Sequence, residues 1–383
     1  MLDVKAVDQV VEPDGSTPTD PGEQVDDANA RERVARFGDV RWLDVRIREA
    51  LRGRAQLEHA RGCRGQLRHE SISDWTTWGG RSIPPAPRQG AGRIRRHGVL
   101  VFRGVIPSES ARLANRARFA RLVARPDAEI DLALGALCIA GDDREGGLAP
   151  EPSIASLDLL AERVRIRLDR GDPAGIVLDR LHDVLYRETG FRGPTAAEFI
   201  DARNSQLDRV LERQIGLPIS LAVVELEVAW RIGLDLHGIG LPGHFIIGSP
   251  DGSLIDPAAD GRRLTLDDCQ ALVRRALGEG MLFQPRMLRR AGKREILARV
   301  LRNLRSVRLA ERDWPAALGA VELLAVIEPD EPEHGRDRGL LLGRMGRFSD
   351  AIGSLARYLD DRPDGSDRVE VRQVISIFRG RRN

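Results

Sequence analysis

Hydrophobic residues fall at helical spacing along most of the chain, but the pattern becomes clear only at Ser110. From Met1 to about Ala30 the chain is polar, with Pro, Gly, Asp and Thr and no periodicity, so disorder is the expectation. Arg31 to Gly62 predicts one helix or two. Gln66 to Arg96 is rich in Gly, Pro, Ser and Arg and predicts loop. Trp75 and Trp78 lie in that loop, as an anchor for a partner or a cover for a local apolar patch. Residues 1–108 together read as a disordered or poorly defined extension.

Leu113, Ala117, Ala120, Leu122 and Val123 mark the first clear helix. Asp127 opens a second, whose apolar face carries Ile130, Leu132, Leu134, Leu137 and Ile139, with Cys138 as a core residue. After a loop from Gly141 to Pro152, SIASLDLLAERVRIRLD and PAGIVLDRLHDVLYRETG make two amphipathic helices. His182 reads as a surface or packing residue, and Gly190 as a left-handed stop.

The turn Ile215-Gly216-Leu217-Pro218 leads into ISLAVVELEVAWRIG, apolar on three sides and therefore a central buried helix, closed by Gly233. Glu225 and Glu227, about 200° apart around it, predict one exposed carboxylate and one paired with an arginine. Leu236 to Ile239 and His244 to Ile247 predict strands. A Ser249-Pro250-Asp251-Gly252 turn then joins the second to Ser253 to Asp256 as a hairpin. Thr265 to Leu277 predicts a helix with Thr265 as N-cap and Asp268 completing a capping box. Cys269, in its first turns, reads as a packing residue rather than a reactive thiol.

A long amphipathic helix follows, Arg294 to Arg312. Beyond it Trp314, Ala317, Leu324 and Pro329 are matched by Phe348, Ala351, Tyr358 and Pro363, each 34 residues on. That period, with small Ala in mid-helix and Pro at the end, is the tetratricopeptide pattern. The last residues, FRGRRN, read as a frayed basic tail.

Composition narrows the function without naming it. Of 383 residues 42% are hydrophobic, enough for real cores, and Lys+Arg 60 against Asp+Glu 58 leaves a net charge of +2. No strong field points to nucleic acid or membrane. Nearly every base is Arg, but the arginines are interleaved with acids, unlike an RNA-binding stripe. Cys63, Cys138 and Cys269 are scattered and odd in number, which fits neither a disulfide framework nor a zinc site and suits a reducing cytoplasm. No basic region followed by an apolar core opens the sequence, so a signal peptide is not expected. No apolar run is long enough to span a bilayer. The expectation is a soluble, cytoplasmic protein without cofactor or metal, whose partner is another protein.

One constellation could carry chemistry. Acyl-transfer sites of the Cys-His-Asp type put a nucleophile at a helix start, a His on a neighbouring strand and an Asp on the next. That order occurs here as Gly216 to Ser220, Gly243-His244-Phe245 and Ile255-Asp256-Pro257. His237 and His244 have no further His or Cys at ligand spacing, which argues against a metal.

NSQLDRVLERQIGLPISLAVVELEVAWRIGL, LPGHFIIG, LIDPAADG, ILARVLRNLRSV and RDRGLLLGRMG resemble the SirB-type transglutaminase-like proteins. The resemblance covers roughly Ala111 to Gly365. It implies an α+β fold in which a helical N-terminal subdomain precedes a transglutaminase-like (papain-like) core with a small antiparallel sheet. Tetratricopeptide-like helices follow. The expected boundaries are 109–290 for the transglutaminase-like domain, 291–365 for the repeats and 366–383 for the tail. The resemblance also implies that His244 matches the catalytic His and Asp256 the catalytic Asp. Counted back from Gly233, the nucleophile position falls on Pro218, which has no nucleophilic atom. Ser220, two residues on, is the nearest hydroxyl.

Three readings of the site follow: a pseudoenzyme that acts, in a regulatory role, by binding protein; a hydrolase or acyl transferase using Ser220, His244 and Asp256; or a His244–Asp256 pair that binds a ligand or holds the core. Partner binding is expected through the core cleft or through the tetratricopeptide tail, which would make the protein a scaffold.

Overall fold

The computed structural model describes residues 109–142, 144, 147–278 and 283–382. The expectations for residues 1–108, Cys63, Trp75 and Trp78 among them, lie outside the described residues.

The fold is helix-rich and built on a small antiparallel sheet. Among the described residues six helices come first: α1 (Glu109–Val123), α2 (Leu132–Gly141), α3 (Glu151–Arg165), α4 (Ala174–His182), α5 (Leu207–Arg213) and α6 (Pro218–Arg231). Four strands follow, β1 (His237–Leu241), β2 (His244–Gly248), β3 (Leu254–Asp256) and β4 (Arg262–Leu264), then α7 (Leu266–Leu277) and the long α8 (Lys293–Glu311). Last come α9 (Trp314–Ile327), α10 (Glu333–Arg344), α11 (Phe348–Asp361) and α12 (Arg368–Arg381).

The sheet runs in sequence order, each strand antiparallel to the next. Strand β4 carries no signal in the sequence. It has three residues, two of them exposed arginines, and so offers no apolar alternation to read. Both faces of the sheet are buried. Phe245, Ile247 and Ile255 join the main core around α6, while Ile239, Leu241, Ile246 and Leu264 pack against Cys269 and Val273 of α7.

Local chemistry explains the element ends that position the site. Leu217 is extended (φ −63°, ψ 159°) and Pro218 takes the first turn of α6, where its missing N–H is no loss. Gly233 closes the segment at φ +83°. Pro242-Gly243 joins β1 to β2 across the Leu241–His244 pair, and Gly243 adopts the φ of +71° that this two-residue turn requires. Thr265 and Asp268 form the expected capping box on α7.

Three expectations are corrected. The helix expected from Asp127 begins at Leu132, because Asp131 is the N-cap and accepts the Leu134 amide at 2.9 Å. Asp127 instead caps α8, accepting the amides of Lys293 (2.9 Å) and Arg294 (2.8 Å). Neither glutamate of α6 is exposed. Glu227 pairs with Arg231 and accepts the Ala133 amide at 2.8 Å, and burial pushes its carboxyl upward. Glu225 is fully buried against Tyr186 and His182. Finally, the tail is not frayed: Phe378 of α12 is buried in the cluster formed by the repeat helices. Those helices bear out the 34-residue period, since Ala317 and Ala351 are both fully buried at matching turns of α9 and α11.

Candidate functional site

Five segments meet at one cleft of about 330 Å³. Pro218 comes from the start of α6, Gly243 and His244 from the β1–β2 turn, Asp256 and Ala258 from the end of β3 and the turn after it. Arg262 and the α7 residues Asp268, Ala271, Leu272 and Arg275 make one wall. Gly193, Pro194 and Phe199 make another.

His244 Nε2 lies 3.0 Å from Asp256 Oδ1, with both side chains largely buried. The N–H direction misses the carboxylate, however, and among the described residues Nε2 has no hydrogen-bonded partner. Asp256 is fixed independently: Oδ1 accepts the Ala258 amide at 3.0 Å, capping the short turn that follows β3. With Nε2 facing Asp256, Nδ1 is the ring nitrogen left to serve any group in the cleft.

His244 is also held from behind. Arg299 of α8, itself buried, donates from Nη2 to the carbonyls of Leu241 and His244, 2.8 Å each. Its guanidinium lies 5.4 Å from the centre of the Phe245 ring. The sequence signal for this residue is an arginine three positions after Ile296, on the stripe of α8 that otherwise carries buried hydrophobes.

A second buried network supports Asp256. Glu225 of α6 accepts from the Tyr186 hydroxyl and lies 2.9 Å from His182 Nε2. The Asp256 turn closes at Gly261, whose amide donates to the Asp256 carbonyl at 3.1 Å. A Cβ on Gly261 would fall 2.7 Å from Tyr186 Cε2 and 2.9 Å from His182 Nδ1, so the turn rests directly on both rings. Burial, then the Glu225 carboxylate, push the Tyr186 phenol well above its ordinary value. Tyr186 and His182 lie on a segment that turns from α-helix to π-helix at Asp183. Such bulges accompany functional sites, but no local sequence pattern marks this one.

The structure brings His244, Asp256 and Pro218 to one cleft and leaves Ser220 out of its lining. Ser220 is buried in α6, its Oγ without a partner among the described residues. Cys269 is fully buried between sheet and α7, and burial, aided by Asp268 and Asp256, pushes its thiol up to about 11. Cys138 is likewise buried and raised to about 11. Among the described residues lining the cleft there is no Ser, Thr or Cys. Among the described residues no group of three or more His, Cys, Asp or Glu could hold a metal ion. No helix among them is long and apolar enough to cross a membrane.

Comparison with known proteins fits this geometry. Residues 151–302 match the transglutaminase-like superfamily. The core is a transglutaminase-like domain. Residues 304–376 match the tetratricopeptide repeat, so the transglutaminase-like domain is followed by a repeat region that takes in most of α12. A UPF0162 protein of Xylella fastidiosa is 41% identical over 182 residues, 46% of this chain and 64% of that protein. A UPF0162 protein of Pseudomonas aeruginosa is 34% identical over 184 residues, 47% of this chain and 66% of that protein. The chain thus spans just under two thirds of the length of these bacterial relatives. F-box only protein 21 of Mus musculus is 32% identical over 108 residues, 25% of this chain and 17% of that protein. No solved structure matches.

Proposed function

We propose that this protein is a non-catalytic member of the transglutaminase-like group, of the SirB type, that acts by binding a protein segment in the cleft. The observation that carries the reading is Pro218. It faces the cleft shared by His244 and Asp256, at the helix start where an acyl-transfer enzyme needs its nucleophile. A proline ring offers no nucleophilic atom there, and Ser220 lies in the buried interior of α6. What remains is a concave site lined by His244, Asp256, Arg262, Asp268 and Arg275 together with apolar Pro194, Phe199, Pro218 and Leu272, a mixture suited to binding. A regulatory role in the cytoplasm is part of this reading, and the tetratricopeptide helices supply a second surface for protein contact.

The test is labelling with fluorophosphonate and chloroacetamide probes of the wild type and of Ser220→Ala, His244→Ala and Cys269→Ala variants. The expected result is no labelling that depends on Ser220 or His244. Labelling abolished by both Ser220→Ala and His244→Ala would overturn the reading in favour of a hydrolase or acyl transferase. Loss in Cys269→Ala alone would move the nucleophile to α7.

A further inference from the structure

Among the described residues the two acids of the cleft already accept hydrogen bonds, while one of its arginines has no acid beside it. Asp256 Oδ1 accepts the Ala258 amide and faces His244 Nε2. Asp268 Oδ2 accepts both the amide (2.8 Å) and the hydroxyl (2.9 Å) of Thr265, and its Oδ1 accepts from Arg262 Nη1 at 3.2 Å. Arg275 differs. It is exposed on the same wall as Ala271 and Leu272, and among the described residues no carboxylate lies within ion-pair distance of it. Among the described residues Arg262 pairs through Nη1 only, and its side chain stays 56% exposed. The same cleft is also lined by the apolar residues Phe199, Pro194 and Pro218.

We propose that the cleft takes a peptide segment bearing a carboxylate, with the carboxylate on Arg275 and Arg262 and an apolar neighbour against Phe199 and Pro218. The proposal rests on reading the cleft as a protein-binding site and adds the chemistry of the partner. A guanidinium presents a planar fork of donors that matches a carboxylate with two parallel hydrogen bonds. A guanidinium with no carboxylate partner among the described residues, beside acids that already have donors, attracts an anion and repels a basic segment, which sets the sign of the ligand. The same carboxylate could come from an Asp or Glu residue or from the free C-terminus of a peptide, and the experiment separates the two.

Fluorescence anisotropy would measure binding of four labelled decapeptide pools composed of Ala, Leu and Gly. One pool carries a single Asp and an amidated end, and a second carries Lys in place of the Asp. The third has no charged residue and a free C-terminus, and the fourth has neither. The proteins are the full-length protein, Arg275→Gln and Arg275→Glu, whose exposed position leaves folding intact by thermal melt. Binding is expected for a carboxylate-bearing pool only, and to weaken roughly tenfold or more in Arg275→Gln. Preference should shift toward the Lys pool in Arg275→Glu. Binding of the first pool assigns the carboxylate of an Asp or Glu residue, and binding of the third assigns a C-terminus. Equal binding of the Asp and Lys pools, or indifference to Arg275→Gln, overturns the carboxylate and leaves the protein-binding cleft standing. No binding by any pool overturns both.

Discussion

Arg299 and His244 are joined through the backbone: the guanidinium donates to the His244 carbonyl at 2.8 Å and to the Leu241 carbonyl at the same distance. These are the two residues that flank the Pro242-Gly243 turn. A group from the helix that leads into the repeats thus sets the position of the site histidine. Replacing it by Arg299→Leu leaves two buried carbonyls without this donor. Each unsatisfied buried acceptor costs about 1–3 kcal/mol, partly offset because no guanidinium need be desolvated. The expected loss is roughly 2–4 kcal/mol in urea unfolding, with the largest amide shifts at residues 241–245 in the nitrogen-15 spectrum. A loss under about 0.5 kcal/mol would mean the hairpin is held by other contacts.

Pro218 makes a constructive test available. Pro218→Cys would put a thiol at the first turn of α6, where the helix dipole and the neighbouring His244 both favour the thiolate. Alkylation by iodoacetamide at pH 7 is expected to be roughly tenfold faster than in the same variant carrying His244→Ala, one pKa unit corresponding to that factor in thiolate. Equal rates in the two proteins would show that Pro218 and His244 do not address a common point.

The parts of the site that are local in sequence are legible there, and the parts that are long-range are not. A helix start with Pro at its first position, the strand that opens at His244 and the Asp ahead of Pro257 are each written in a few adjacent residues. Arg299, 58 residues from Leu241, and Tyr186, 39 residues from Glu225, reach their partners only through tertiary packing. Apolar spacing correctly buries the α6 helix but cannot say what its glutamates meet. The Phe378 helix reads as a tail because five arginines in RVEVRQVISIFRGRR draw the eye from Val371, Val374, Ile375 and Phe378, which are buried at helical spacing.

Tyr186 supports the Asp256 turn from below. Removing its hydroxyl in Tyr186→Phe takes a donor from the buried Glu225 carboxyl and should cost about 1.5–3 kcal/mol. Gly261→Ala should cost about 1–3 kcal/mol, because φ is +72° and the new methyl meets the Tyr186 ring. The double variant is expected to be less than additive, because a ring released from its tether to Glu225 can yield to the methyl at position 261. The phenol is raised in the folded state, so its contribution is full below the unfolded value of 10.0 and is lost as pH rises beyond it. Urea midpoints at pH 7 and above pH 10 check both statements.

Phe378 decides whether the last helix belongs to the repeat core. It is 2% exposed, and a methyl on Gly343 would overlap its ring. Phe378→Ala should destabilise by about 3–5 kcal/mol, the usual range for emptying a buried aromatic site. Gly343→Ala should also destabilise, by overpacking, by about 1–3 kcal/mol. A frayed tail would show neither effect in thermal unfolding.

The cleft wall from Gly193 to Phe199 carries its own pH dependence. Glu198 accepts from Arg192 through two nitrogens, at 2.9 and 3.0 Å, and from the amide and hydroxyl of Thr195 at 2.9 Å each. The Arg192 hydrogen bonds first, then those from Thr195, hold its carboxyl down at about 2, against an ordinary 4.5. A lowered carboxylate contributes stability that is fully present above the unfolded value and is lost as pH falls through the folded one. The staple on this wall is therefore expected to hold at pH 6, weaken below about pH 4.5 and vanish near pH 2. Because the pair is partly exposed, salt should shrink the effect. Thermal melts of the wild type and Glu198→Gln should differ at pH 6 and converge as the pH approaches 2. A gap that stays constant across that range would assign the stability of the wall to packing at Phe199 rather than to the Arg192–Glu198 pair.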